Sequence, residues 1–196
     1  MDLSTTARAK IVLGLTSSQH DTLLDQLVAA TSGAAERYLN RHALQTARTE
    51  QYDVEDCYQR RVYLRGFPVL ATPVAAFKSD GLREFTGAAI DADNYYLDLE
   101  RGTIEFDVYT LTPGPGTLQV VYTGGMATTA AGLISAFPDV AQAVDFQVAF
   151  LFKRRDTLGM SSFSAEGGSI GFETPVELIP LAKRLLDPYR RIHGGN

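Results

Sequence analysis

Three histidines, one cysteine, several close-set carboxylates and a few basic pairs are the residues of this 196-residue chain whose types suit chemistry. Nucleophilic catalysis needs a Ser or Cys beside a His that a carboxylate orients. His20 falls in the first turn of an expected helix, His42 just after that helix, and His193 three residues from the last residue given. No spacing gathers them, and each is expected on the solvated surface. Cys57 stands in Asp53-Val54-Glu55-Asp56-Cys57-Tyr58, where acidic neighbours disfavour the thiolate that a reactive cysteine needs. Asp53, Glu55 and Asp56 have the hardness for a cation, and Asp91-Ala92-Asp93 resembles a fragment of a calcium loop. The glycine and terminal Glu of such a loop do not follow, so these acids read as solvated turns and strand edges. The glycine-rich pieces at 114–116 and 167–171 lack the Lys-Ser/Thr of a phosphate loop. Arg60-Arg61, Lys183-Arg184 and Arg190-Arg191 read as solvated or partner-facing clusters. No catalytic, cofactor or metal site is expected, which moves the reading toward a binding or structural protein and away from an enzyme.

Composition bounds the class. A chain that is 45% hydrophobic can build a useful core, and its length suits one domain or one domain carrying an insertion. The net charge of −5 argues against a protein that grips nucleic acid, which needs clustered Lys and Arg. A single cysteine excludes an internal disulfide and Cys-rich metal sites and suits a reducing compartment. In residues 1–15 the longest apolar run, Ile11-Val12-Leu13, stops at Gly14, so neither a signal peptide nor a membrane span is expected there.

Periodicity divides the chain into three zones. Ser4 is expected to cap a short helix over residues 5–12, with Gly14 near its end. Thr16 and Gln19 fit a capping box, and Leu23, Leu24, Leu27, Val28, Thr31, Ala34, Ala35, Tyr38 and Leu39 then recur at helical spacing. One amphipathic helix over 17–40 follows, with small residues (Ala29, Ala30, Gly33, Ala34, Ala35) in its middle that let another backbone approach. From 43 to 126 the period is two: 62–64, 74–77, 95–99, 103–106 and 118–122 read as strands. Phe67-Pro68, Ser79-Asp80-Gly81, Arg101-Gly102 and Pro113-Gly114-Pro115-Gly116 read as turns, and Gly124-Gly125 closes the zone. Pro138 suits a first helical turn, and Val140, Ala143, Val144, Gln147, Val148, Phe150 and Leu151 line an apolar face to about Arg154. Residues 157–174 are Gly/Ser-rich without clear period and are expected to be mobile in a lone subunit. A last helix is expected from Pro180 to Leu186 or Asp187, followed by a short exposed cationic tail. The expected fold is α+β: a small helical bundle (1–42 and 127–196), made of the long N-terminal helix and two C-terminal helices, with an inserted antiparallel β-sandwich or barrel (43–126).

The opening Leu13-Gly14-Leu15 with Asp21-Thr22-Leu23-Leu24-Asp25-Gln26-Leu27-Val28-Ala29-Ala30 and Ala35-Glu36-Arg37-Tyr38-Leu39-Asn40-Arg41 resembles the start of phage head–tail connector (adaptor) proteins. Leu64-Arg65-Gly66-Phe67-Pro68-Val69, Val120-Val121-Tyr122-Thr123-Gly124-Gly125, Phe137-Pro138-Asp139-Val140, Ile179-Pro180 and Leu185-Leu186-Asp187-Pro188-Tyr189-Arg190 extend the resemblance over nearly the whole chain. The resemblance implies a structural virion protein made in the host cytoplasm. It implies a ring of twelve copies at the head–tail interface, docked beneath the portal protein and meeting a tail-side stopper or tail terminator. Genomic DNA would pass through the lumen without specific binding, and no membrane or cofactor is implied. Portal or partner docking is expected at Leu185, Leu186, Tyr189, Arg190, Arg191 and Ile192, and subunit contact at Ala30, Ala34, Tyr38 and Phe150. A competing reading makes the β-insertion a carbohydrate- or receptor-binding module of a virion, with Tyr95, Tyr96 and Tyr109 as its aromatic cluster.

Overall fold

Left-handed residues stop the first two helices, as the glycine and asparagine there allow. Helix α1, Thr6–Leu13, ends at Gly14 (φ 69°), and α2, Asp21–Leu39, ends at Asn40 (φ 48°). These belong to a computed structural model that describes residues 2–71, 76–107, 110–155, 162–165, 168–171 and 178–191. The remaining elements are β1 (Thr46–Val54), β2 (Arg61–Tyr63), β3 (Ala76–Ser79), β4 (Tyr95–Asp98), β5 (Thr103–Phe106), β6 (Gly114–Gly124), α3 (Ala130–Ala136), α4 (Pro138–Arg154), β7 (Ser162–Ala165), β8 (Gly168–Gly171) and α5 (Pro180–Leu186). Single 3₁₀ turns at Ala92–Asn94 and Asp187–Tyr189 complete them. Two compact units result, one formed by Met1–Asn40 with Ala130–Asn196 and the other by Arg41–Thr129.

In the helical unit α4 is central and packs against α1, α2, α3 and α5. Its apolar face is wide enough to bury Val140, Ala141, Ala143, Val144, Val148, Ala149 and Phe152. Two polar side chains are buried with them and are satisfied, as buried polar groups must be. The Asp145 carboxylate, 2% exposed, accepts from Ser4 Oγ and from Arg8 Nε at 3.0 Å. Gln147 Oε1 accepts the Ile179 amide at 2.7 Å, which fixes the entry to α5.

Local expectations are corrected here. Thr5, not Ser4, caps α1 by accepting from the Arg8 amide, because Ser4 is drawn to Asp145. The capping box at Thr16 and Gln19 does not start α2. The Gln19 amide turns back to Ser17 Oγ, and the helix begins at Asp21, where Lys10 Nζ reaches Asp21 Oδ1 at 2.8 Å and ties the start of α2 to α1. The backbone of β7 and β8 pairs antiparallel within the stretch read as a structureless loop, with Phe163 opposite Ile170.

The β-unit holds two three-stranded antiparallel sheets, β1-β6-β3 and β2-β5-β4. They share one core: Val54, Phe77, Leu118, Val120 and Tyr122 from the first meet Val62, Ile104 and Phe106 from the second. Phe77 stands edge-on to both Tyr95 (4.6 Å between centroids) and Phe106 (5.8 Å). Of the two architectures expected, this is the sandwich; among the described residues no closed barrel forms. The turn expected at Pro113–Gly116 is strand from Gly114 on, since Val54 pairs with Gly114 across a register shift whose two extra residues lie in β6. At the far end of β6 the backbones nearly touch: a Cβ on Gly124 would lie 2.1 Å from the Gly66 carbonyl oxygen. Only glycine allows that approach.

Candidate assembly surfaces

The last described residues fold back onto the helical unit, and short polar side chains hold them there. Tyr38 Oη donates to Asp187 Oδ1 at 2.5 Å and Tyr189 Oη to Asp139 Oδ2 at 2.8 Å. The Tyr189 ring stands edge-on to Phe137, the Arg191 amide donates to Leu39 O at 2.8 Å, and the Arg190 guanidinium lies 4.9 Å from the Tyr38 ring centre. The hydrogen bonds to Asp187 and Asp139 push both tyrosine pKa values up. The expected free cationic tail is therefore clasped, through Arg191, across the C-terminal end of α2 and the N-terminal end of α4.

The residues expected at interfaces are scattered by this arrangement. Leu186 is completely buried, so it serves its own subunit's core and cannot be a docking contact as the subunit stands. Leu185, Tyr189 and Arg191 are half-buried, and Arg190 is exposed. Ile192 and His193 lie outside the described residues. On α2, Ala30 is exposed and Ala34 half-buried, while Tyr38 lies under the C-terminal segment. Phe150 is half-buried with the Arg154 guanidinium 5.3 Å from its ring centre. The large apolar side chains most open to solvent in this unit are others: Ile11, 79% exposed, with Val12 on α1, and Leu181, 48% exposed, on α5. The signal for Ile11 was present in the sequence, because buried Ala9 lies two residues away on a helix of only eight residues.

In the β-unit a polar cluster ties β1 to β6. Glu50 accepts from Tyr52 Oη, from Tyr122 Oη at 2.8 Å and from His42 Nε2 at 2.7 Å, and Tyr122 Oη in turn accepts the Gly66 amide at 2.8 Å. Burial alone would raise the Glu50 carboxyl; the hydrogen bonds from His42, Tyr52 and Tyr122 outweigh it and hold the pKa at about 2. Burial, with the Glu50 charge adding to it, pushes both tyrosines well up. His42 is thus a half-buried structural partner, not a solvated surface residue. His20 is corrected likewise, since it stands half-buried at the N-cap position of α2 with its ring 5.2 Å from that of Phe152.

The acids considered for metal binding cap backbone instead. Asp53 accepts from Gly116, Asp56 from Tyr58, and Asp91 from Asp93. Among the described residues no three His, Cys, Asp or Glu side chains converge, and no helix is long and apolar enough to cross a membrane. The aromatic cluster of the competing reading is divided. Tyr95 packs toward the core, Tyr96 is 67% exposed, and Tyr109 lies outside the described residues. Tyr96 shares the outer face of β2-β5-β4 with Arg61, Tyr63, Asp98, Thr103 and Glu105, around an open depression of about 470 Å³.

Comparison with known proteins matches the chain to a class of structural virion proteins with no enzymatic role. It belongs to the head completion protein family, which matches residues 2–192. Among solved structures it is similar to a chain in the neck of an empty GTA particle computed with C6 symmetry (20% identity, TM-score 0.61) and to one in the neck of a native GTA particle computed with C12 symmetry (18%, TM-score 0.59). A chain in the virion of a native gene transfer agent particle is similar too (18%, TM-score 0.59). Each likeness covers 97% of this chain and 91% of the other. No curated protein matches it.

Proposed function

We propose that this chain is a head–tail adaptor subunit, that twelve copies form a ring at the neck of a phage-like particle, and that genomic DNA passes through the lumen without specific binding. The fold shared with chains from particle necks, one computed with C12 symmetry, is the observation that carries the reading. The surface agrees with it. A ring needs two different faces per subunit, and the helical unit leaves Ile11 and Val12 on one helix and Leu181 on another open to solvent. The small exposed residues Ala29 and Ala30, with Ala34 and Phe150 partly open, supply close-approach surface for a neighbouring copy. Leu185, Tyr189, Arg191 and Ile192 dock the portal, and another face meets a stopper or tail terminator. Mass measurement of the purified chain, alone and mixed with the portal protein of the same particle, tests this. Oligomers or a portal complex are expected; a strict monomer that ignores the portal refutes it.

The depression beside exposed Tyr96 supports a second reading, in which the β-unit binds a carbohydrate on a target cell. A glycan screen in which Tyr96→Ala abolishes a hit decides for that reading.

A further inference from the structure

We infer that the cationic end of the helical unit seats the acidic end of the β-unit of a second copy, so that copies join head to tail by charge. This rests on the ring reading above and names the two faces that meet.

The sequence divides its charge unevenly. The helical unit carries ten Lys and Arg against eleven Asp and Glu, close to neutral, whereas the β-unit carries eight against twelve, a net −4. Within the helical unit the cations are gathered. The bonds from Tyr38 to Asp187, from Tyr189 to Asp139 and from Arg191 to Leu39 bring the C-terminal ends of α2 and α5 together with the start of α4. Arg37, Lys183, Arg184, Arg190 and Arg191 collect there, with Lys183 Nζ 5.9 Å and the Arg190 guanidinium 4.9 Å from the Tyr38 ring centre. Against these five cations stand three carboxylates, Asp187, Asp139 and Glu36, which leaves the end at a net +2; Asp187 and Asp139 each accept from a tyrosine hydroxyl and keep their charge, and Glu36 is half-buried. Arg37, Arg184 and Arg190 are exposed there, with Asp187 the one exposed acid among them.

The β-unit has the complementary end. The Phe106 amide donates to Arg60 O, the Asp107 amide to Asn94 O and the Glu55 amide to Gln59 Oε1, which draws the end of β1, the start of β2, the start of β4 and the end of β5 to one place. Asp53, Glu55, Asp56, Asp91, Asp93 and Asp107 lie there, all exposed. Two cations lie near these six acids, Arg60 and, at Gly116 beside Asp53, Arg83; Arg61 is paired with Glu105 at 2.5 Å.

Two ends of opposite sign on one chain make a heterologous contact, the kind that closes a ring. Complementary charge fixes register and speeds encounter more than it adds affinity, which suits a subunit that must find the same orientation twelve times. Duplex DNA fits the cationic end less well, because Asp187, Asp139 and Glu36 lie within it and a phosphate backbone calls for unbroken Lys and Arg. The assignment gives Arg190 to the neighbouring copy and leaves Leu185, Tyr189, Arg191 and Ile192 for the portal.

The test uses the full chain and two charge-reversed variants, R37E/R184E and E55K/D93K. These positions spare Arg190, which stacks on Tyr38, and the carboxylates that cap backbone. Self-association is followed by sedimentation, with circular dichroism confirming that each variant is folded. Raising NaCl from about 50 to about 500 mM is expected to weaken wild-type association by about tenfold or more, because exposed charges are screened over such a range. Each variant alone is expected to lose about tenfold at low salt, and an equimolar mixture of the two to recover to within about threefold of wild type, since the mixture restores opposite charges at the contact. Salt-independent association, variants that assemble like wild type, or a mixture that fails to recover overturns the inference. So does R37E/R184E that self-associates normally but loses binding to a short DNA duplex, which would assign that end to nucleic acid. If every variant still forms rings with the portal, only this inference falls; if wild type neither self-associates nor binds the portal, the ring reading falls with it.

Discussion

Replacing Glu50 by Gln removes the charge on which His42, Tyr52 and Tyr122 converge, and the size of the effect follows from the geometry. A carboxyl with an ordinary value of 4.5 that stands at about 2 in the fold contributes about 3 kcal/mol of stability at neutral pH. The side chain is only 16% exposed, so solvent screens little of this. The folded value is depressed, so the contribution is complete above the unfolded-state value and is lost as pH falls toward the folded one, with about 2 kcal/mol of it gone by pH 3. The glutamine keeps one acceptor oxygen but presents an amide NH₂ to hydroxyls that already donate, so the loss at pH 7 is expected to be about 2–3 kcal/mol. Urea unfolding at pH 7, 5, 4 and 3 reads this out. Tyrosine fluorescence is a suitable probe, as the chain has no tryptophan and two tyrosines of the cluster report on the β-unit. The gap between wild type and variant should narrow to about 1 kcal/mol or less at pH 3. A variant as stable as wild type at pH 7, or a gap constant across the series, would refute the reasoning.

Other perturbations have equally definite outcomes. Asp145→Ala strands Arg8 and Ser4 and should destabilise the helical unit by about 3 kcal/mol, read by thermal melting. Gly124→Ala forces a methyl onto the Gly66 carbonyl and should cost at least about 2 kcal/mol in the β-unit's urea transition. Leu186→Ala opens a cavity at a fully buried position and should cost about 3 kcal/mol; a variant of unchanged stability that loses partner binding would restore Leu186 to the docking surface. Tyr38→Phe deletes the hydroxyl that holds Asp187 and should cost about 1 kcal/mol, with trypsin cutting after Arg190 and Arg191 faster than in wild type.

The parts of this fold that announced themselves are those where apolar residues keep step with an element. Helices α2, α4 and α5, with Pro138 and Pro180 at their first turns, show in hydrophobic spacing, as do β2, β4, β5 and most of β6. Strand β1 escaped, although it is long and pairs with β6 over nearly its whole length. Its inward face is Thr46, Arg48, Glu50, Tyr52 and Val54: burial alternates while the residue types stay polar, because the site they fill is a hydrogen-bond cluster. Asp145 was invisible for the same reason, as a charge in mid-helix reads as solvent-facing unless its partner 137 residues away is known. The capping box failed because a local motif competed with the Lys10–Asp21 ion pair and lost. The C-terminal residues were recognisable as partner-facing by type, but their clasp depends on Tyr38 and Asp139, which no local pattern connects to them.

The pairing of Ser4 and Arg8 with Asp145 also bears on the order in which the chain is made. The first two helices leave the ribosome long before the partners that bury them, whereas the whole β-unit, Arg41–Thr129, is contiguous in the chain. Domains complete as units during translation. The sandwich is therefore expected to mature first, while the N-terminal residues wait, half-covered, for α4 and α5. A nascent chain arrested before α4 should then display a protease-resistant centre and a cleavable beginning.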